Sequence, residues 1–257
     1  MRILILGAGK MGSFFTDTLC LEHDVALFDP DKNKLRYVFN TIRMSDLSDV
    51  REFNPELVIN CVTIKNTIDA FEMILPHISE RCIISDIASV KTGLPEYYAS
   101  LNRPFVSTHP MFGPTFATLS DLRAHNAIII AESDYMGKMF FKELYRNLKL
   151  NIFEYTFEEH DQTIAYSLSI PFASTLAFAS VMKHQEAPGT TFKKHMAIAE
   201  GLLSEDDYLL REILFNPYTS EQLERIQEQL TMLQQIIRDH DNEGMQHFLE
   251  KVRENIK

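Results

Sequence analysis

Short, mainly apolar runs open the chain at Ile3-Leu4-Ile5-Leu6 and recur at 25–28, 57–62, 82–86, 105–107 and 127–130. Apolar residues at consecutive positions, not alternating ones, predict strands buried on both faces, as in a parallel sheet. Helical periods fill most of the gaps, the first over Ser13 to Leu21. Strand and helix in alternation predict an α/β fold with a doubly wound, mainly parallel sheet. The strand signal stops near residue 153, and from Glu158 onward long helical periods replace it. Two domains are expected, 1–155 and 156–257, joined through the Glu154 to Glu159 connection.

In the helical half, the segment Ile164 to Met182 is apolar on most sides. Ser167, Ser169, Ser174, Thr175 and Ser180 interrupt it and Pro171 should kink or break it, which favours a buried helix over a membrane span. Thr219-x-x-Gln222 has the form of a capping box. Leu223, Ile226, Leu230, Leu233 and Ile237 then recur at spacings of 3, 4, 3 and 4, one apolar stripe for neighbours in the same chain or in a second copy. The last helix carries Met245, Phe248, Leu249, Val252 and Ile256 as its expected inner face.

The first strand ends in Gly7-Ala8-Gly9-Lys10-Met11-Gly12, a G-x-G-x-x-G loop between strand and helix. Gly7 suits the tight turn, Gly9 lets backbone approach a pyrophosphate, and Gly12 lets the helix pack close to the strand. Lys10 and Met11 lie inside the loop and join the expected cofactor contacts. Asp29, 20 residues after Gly9, closes the second strand where an acid hydrogen-bonds the adenosine ribose. A carboxylate there repels a 2′-phosphate, so NAD is expected over NADP. Val62 ends a later strand and Thr63 follows it, Ser89 and Lys91 follow another, and His109 follows Phe105-Val106-Ser107. Strand carboxyl ends are where such sheets bind ligands. His109 lies in Ser107-Thr108-His109-Pro110-Met111-Phe112-Gly113-Pro114, read as a stiff loop because two prolines fix φ around Gly113. Its pKa lies nearest neutrality among side chains, which suits it to take a proton from an alcohol during oxidation.

Composition narrows the partners. With 36 Asp+Glu against 25 Lys+Arg and a net charge of -11, the chain does not offer the basic surface that nucleic acid or an anionic membrane requires. Cys20, Cys61 and Cys82 are unpatterned and read as reduced thiols, with neither disulfide nor metal site. The amino terminus reads as a core strand, so no secretory leader and a cytoplasmic location are expected.

The glycine loop, the strand-end acid, Asp86-Ile87-Ala88-Ser89-Val90-Lys91 and the His109-Pro110-Met111-Phe112-Gly113-Pro114 stretch together resemble the prephenate/arogenate dehydrogenase family of tyrosine biosynthesis. The resemblance implies a dinucleotide domain followed by a helical domain that interlocks two subunits, and an NAD-dependent oxidative decarboxylation of prephenate to 4-hydroxyphenylpyruvate. Arogenate, giving tyrosine directly, is the alternative substrate. On this resemblance His109 accepts a hydrogen bond from the ring hydroxyl of the substrate, Ser89 orients His109, and Lys193 meets a substrate carboxylate where relatives place arginine, with Lys194 one register away. The family pattern H-D followed by S-H-L-P-H becomes His160-Asp161 followed by Leu168-Ser169-Ile170-Pro171-Phe172, so that its last histidine is Phe172 here. His160 is expected to be structural. Two other readings stand beside this one: a small-acid or imine reductase of the same two-domain plan, and a catalytically silent NAD-sensing dimer.

Overall fold

A computed structural model describes residues 1–112 and 122–257. Gly113 and Pro114 of the histidine stretch lie outside the described residues. The chain divides into two compact units, Met1–Asp161 and Gln162–Lys257.

The first unit is an eight-stranded sheet in the order β3-β2-β1-β4-β5-β6-β7-β8. Its strands are β1 (Arg2–Leu6), β2 (Asp24–Phe28), β3 (Ile42–Met44), β4 (Leu57–Asn60), β5 (Ile83–Asp86), β6 (Phe105–Pro110), β7 (Asn126–Ile130) and β8 (Asn151–Tyr155). The helices between them are α1 (Lys10–Leu19), α2 (Leu47–Phe53), α3 (Thr67–Ile74), α4 (Leu94–Ser100) and α5 (Tyr135–Asn147), and α6 (Phe157–Ile164) follows β8. All neighbouring strands are parallel except β6 and β7. The twofold alternation of a strand divides the core between two faces. Ile3 and Ile5 join Phe15, Phe141 and Tyr145 on one side, while Leu4 and Leu6 join Phe71, Ile74 and Tyr98 on the other. Strand order reverses between β1 and β4, which opens a crevice at their carboxyl ends.

Three sequence expectations change here. His109 and Pro110 belong to β6 and not to a loop, because antiparallel β7 pairs with the end of that strand and extends it, setting His109 opposite Ile128 and Pro110 opposite Ala127. The expected linker from Glu154 to Glu159 is instead the end of β8 and the first turn of α6. Two edge pieces escaped the periodicity: β3 has three residues, and β8 alternates weakly because much of it faces solvent.

The second unit is helical, with α7 (Ile170–Val181), α8 (Thr190–Leu203), α9 (Asp207–Leu214), α10 (Thr219–Asp239) and α11 (Asn242–Asn255). Pro171 neither breaks nor ends its helix. A π-helical stretch at Ala165–Ser169 joins α6 to α7, and this wider turn accommodates a residue that has no N–H to donate. Ser169 anchors the unit: its buried hydroxyl donates to the Ile213 carbonyl at 2.8 Å and accepts from the Thr219 hydroxyl at 3.0 Å. Thr219 is thereby diverted from the capping box, and α10 starts without a side-chain cap. Within this single chain the Ile164 to Met182 segment is covered at Ile164, Ala165 and Ser169, while α7 has no buried residue and 17% of the most apolar window of Phe157–Val181 is buried. Its length and composition are weak evidence for a membrane span. The expected inner face of α11 is likewise uncovered, with Leu249, Val252 and Ile256 exposed.

Candidate active site

The glycine loop has the shape its sequence demands. Gly7 takes φ +93°, a left-handed conformation, and a Cβ there would press on Val62 and the Cys61 carbonyl. A Cβ on Gly12 would overlap the Gly7 carbonyl oxygen, so only glycine lets α1 cross this close. Gly9, by contrast, faces open space. The helix starts at Lys10, earlier than its apolar period suggests, and has no side-chain cap. A helix N-terminus of this kind directs its first amides toward an anion, and Ala8, Gly9, Lys10, Ser13, Phe14, Asp17 and Lys34 line a concavity beside it. Met11 packs on the core beneath.

Asp29 caps this loop from the end of β2. One carboxylate oxygen accepts from the Ala8 amide at 3.0 Å, the other from the Asp31 amide at 2.9 Å, and the Lys34 ammonium lies 3.5 Å away. Thr63 is exposed after β4, where its hydroxyl accepts from the Asn66 side-chain amide. These groups fit a dinucleotide: a cradle without side chains, uncapped helix amides for the pyrophosphate, and a carboxylate at the ribose position.

A buried polar cluster ties β5 to β6. Lys91 is fully buried, its ammonium donating to Asp86 Oδ1 at 2.5 Å and to the Thr108 carbonyl at 2.7 Å. Tyr98 donates to the other Asp86 oxygen at 2.8 Å. Lys91 thus faces neither nucleotide nor solvent; it cross-links the strand that carries His109. Burial pushes its pKa down, and the Asp86 carboxylate pulls the other way. Ser89 sits half-buried on the loop after β5 and bonds to no described residue.

His109 is 6% exposed, and its Nδ1 lies 3.1 Å from Nε2 of His160 on α6. His160 Nδ1 in turn lies 3.0 Å from Asp161 Oδ1. Desolvation holds the His109 pKa well below its ordinary value, aided by the fields of His160 and Lys91, so the ring is neutral at pH 7. His160, expected to be structural, is fully buried and is the side chain that meets the His109 ring. The signal available in the sequence was the acid next to a histidine at the end of the sheet unit.

In the helical unit, Lys193 is exposed on α8 and lines a concavity with Met182, His184, Phe192 and Met196. Lys194 does not line it. Phe172 is half-buried in the first turn of α7.

The chain resembles known proteins along most of its length. It is 22% identical over 218 residues to a probable arogenate/prephenate dehydrogenase of Methanocaldococcus jannaschii, covering 79% of this chain and 47% of that protein. The T-protein of Enterobacter agglomerans is 23% identical over 83% of this chain and 56% of its own length. The chain therefore spans about half the length of the curated relatives it matches. Among solved structures, prephenate dehydrogenase from A. aeolicus in complex with hydroxyphenyl propionate and NAD+ superposes with a TM-score of 0.83 at 19% identity, covering 100% of this chain and 97% of that one. Synechocystis arogenate dehydrogenase superposes with a TM-score of 0.80 at 17% identity, covering 99% of this chain and 98% of that one. These likenesses establish the fold. Residues 19–151, the stretch holding Asp29, Ser89, Lys91 and His109, match the family model for the nucleotide-binding domain of prephenate dehydrogenase; the chain belongs to the prephenate dehydrogenase family.

Proposed function

We propose that this protein oxidises and decarboxylates prephenate with NAD+, giving 4-hydroxyphenylpyruvate for tyrosine biosynthesis in the cytoplasm. The observation that carries the reading is a buried, neutral His109 at the carboxyl end of β6, in the sheet whose first strand ends in the glycine cradle. When bound, NAD+ supplies the hydride acceptor. Gly7, Gly9, Lys10, Met11, Gly12, Asp29, Val62 and Thr63 hold it, and the Asp29 carboxylate disfavours a 2′-phosphate. Lys34 beside Asp29 makes the NADP+ arm of any assay informative.

His109 takes the proton of the ring hydroxyl as the carbon bearing it loses hydride. A histidine of low pKa suffices, because that hydroxyl becomes strongly acidic as carbonyl character develops. Loss of carbon dioxide then makes the ring aromatic, and the ring oxygen regains a proton. Ser89, on the loop after β5, is the hydroxyl that the family resemblance pairs with His109, and Lys193 meets a substrate carboxylate as a single charge, without the two-pronged geometry of arginine. Residues 1–155 form the dinucleotide domain, and residues 156–257 the substrate domain, through which two copies pair. The uncovered apolar side chains of α10 and α11 support that pairing. Phe172, where the family pattern has histidine, removes that contact to the side-chain keto group, so arogenate, which carries an amine there, stays the alternative substrate.

Purified protein assayed with prephenate and arogenate, each with NAD+ and NADP+, should reduce NAD+ with prephenate. His109→Asn should lose turnover by a factor on the order of a thousand while still binding NAD+, as for other enzymes deprived of their proton acceptor. Full activity in His109→Asn would sink the mechanism. Cofactor binding without turnover on either acid would favour the silent sensor, and turnover of a small acid or imine alone the reductase.

A further inference from the structure

The sheet unit holds a line of three titratable side chains, two buried imidazoles and a partly exposed carboxyl, of which the proposed reaction uses one end. The line runs from His109 through His160 to Asp161, with contacts of 3.1 Å and 3.0 Å between ring nitrogen and ring nitrogen, then ring nitrogen and carboxylate. Each neutral imidazole carries one hydrogen, so the bonded line has two polarities. With Asp161 ionised, its carboxylate accepts from His160 Nδ1–H, bare His160 Nε2 accepts from His109 Nδ1–H, and His109 Nε2 keeps a lone pair. With Asp161 protonated and donating, every hydrogen shifts one place, and His109 Nε2 carries a hydrogen and cannot accept another.

We propose that His160 and Asp161 are positioning residues: the Asp161 carboxylate, acting through His160, fixes the tautomer of His109 whose Nε2 receives the substrate proton. This rests on the role given to His109 above. The proton balance is simple. The substrate O–H breaks, an N–H forms at His109 Nε2, and the resulting imidazolium donates its Nδ1–H to His160, with the Asp161 charge behind it. Two buried imidazoles serve packing poorly, since apolar side chains would fill the same volume without needing partners.

The surroundings suit the linker to its role. Burial, with the field of Lys91 from the loop before α4, lowers the His160 pKa to about 3, against an opposing pull from Asp86 at the end of β5. His160 therefore passes on orientation without taking the proton. Burial raises the Asp161 carboxyl to about 6, with Lys91 opposing. Acidification through that value reverses the line.

The test follows the ring nitrogens of His109 in the full-length protein labelled with 15N-histidine, alongside steady-state kinetics on the cyclohexadiene acid that the wild type turns over. At pH 8 the wild type should show His109 with hydrogen on Nδ1 and bare Nε2. Asp161→Asn should move hydrogen onto Nε2, lower kcat on the order of a hundredfold or more, as loss of an orienting carboxylate does elsewhere, and leave the KM for NAD+ unchanged. The acid limb of the wild-type kcat profile near pH 6 should disappear in that variant, and Asp161→Glu should recover part of the rate. An unchanged His109 tautomer in Asp161→Asn, or an unchanged kcat, overturns the proposal. Should Asp161→Asn fail to fold, a wild-type titration from pH 8 to pH 5 decides: the Nε2 hydrogen should appear with a midpoint near 6, and a fixed neutral tautomer throughout overturns the proposal. A wild type inert on both acids would refute the proposed function, while the nitrogen shifts would still decide the role of Asp161.

Discussion

The two units handle apolar surface in opposite ways. In the sheet unit, β1, β2, β4 and β7 are buried almost throughout, and even a lysine is closed off from water. In the helical unit α7, α10 and α11 leave Val181, Leu223, Leu230, Ile237 and Val252 exposed, and few side chains beyond Ala199, Leu202, Leu210 and Ile213 form an interior. A parallel sheet covered by helices on both faces completes its own core, whereas the five helices of the second unit leave these apolar side chains uncovered. The first unit is thus a finished scaffold that holds its polar groups rigidly. The second presents surface suited to a partner.

Substitutions should separate the two units, beginning with the scaffold. Lys91→Met strands the Asp86 carboxylate in the core and deprives the Thr108 carbonyl of a donor, so urea denaturation should show a loss of about 3–5 kcal/mol. A loss below 1 kcal/mol would mean that the cluster is not closed off from water. Ile5→Ala, in the middle of β1, should cost about 2–5 kcal/mol by the same measurement, the usual range for opening a cavity in a packed core.

Acid should weaken the fold. His109 and His160 stay neutral when folded and protonate near their ordinary value when unfolded, so the unfolded state binds more protons below pH 6.5. Their stabilisation is complete above that pH and is lost as pH falls below it, for His160 down to about pH 3, at up to about 1.4 kcal/mol per pH unit for each ring. Asp161 works the other way between about 6 and its ordinary 3.8, but one carboxyl offsets only one of the two rings. Chemical denaturation should therefore give lower stability at pH 5 than at pH 7, and a rise would contradict the neutral pair.

The smallest effect belongs to the helical unit. Leu230→Ala removes a side chain that is 60% exposed and should change the folding stability of the single chain by no more than about 0.5 kcal/mol. It should instead weaken self-association, read by sedimentation across a range of concentration. A loss of several kcal/mol in a protein that sediments as a monomer would erase the contrast between the units.

The strands at the centre of the sheet were legible because uninterrupted apolar runs have one stable use, burial on both faces. The glycine loop and Asp29 were legible because few residue types tolerate those positions. Less visible were β3 and β8, which are short or half-solvated and carry little periodicity. The place of His109 was misjudged for another reason: two nearby prolines suggest a loop, and only pairing with β7, from a later part of the chain, makes it strand. Thr219 likewise has a capping sequence, but a buried serine 50 residues away takes its hydroxyl.

The amino-acid order by itself determined the class of fold, the glycine loop of the nucleotide-binding domain and the histidine proposed to take the proton, because these depend on local constraints of burial, backbone freedom and side-chain type. Tertiary structure alone decided what surrounds that histidine. Lys91 finds its partners in Asp86 and a carbonyl on a neighbouring strand, and His160 meets His109 across 51 positions of sequence. Such pairings follow from the sheet order and the helix that closes it. No periodicity along the chain encodes them.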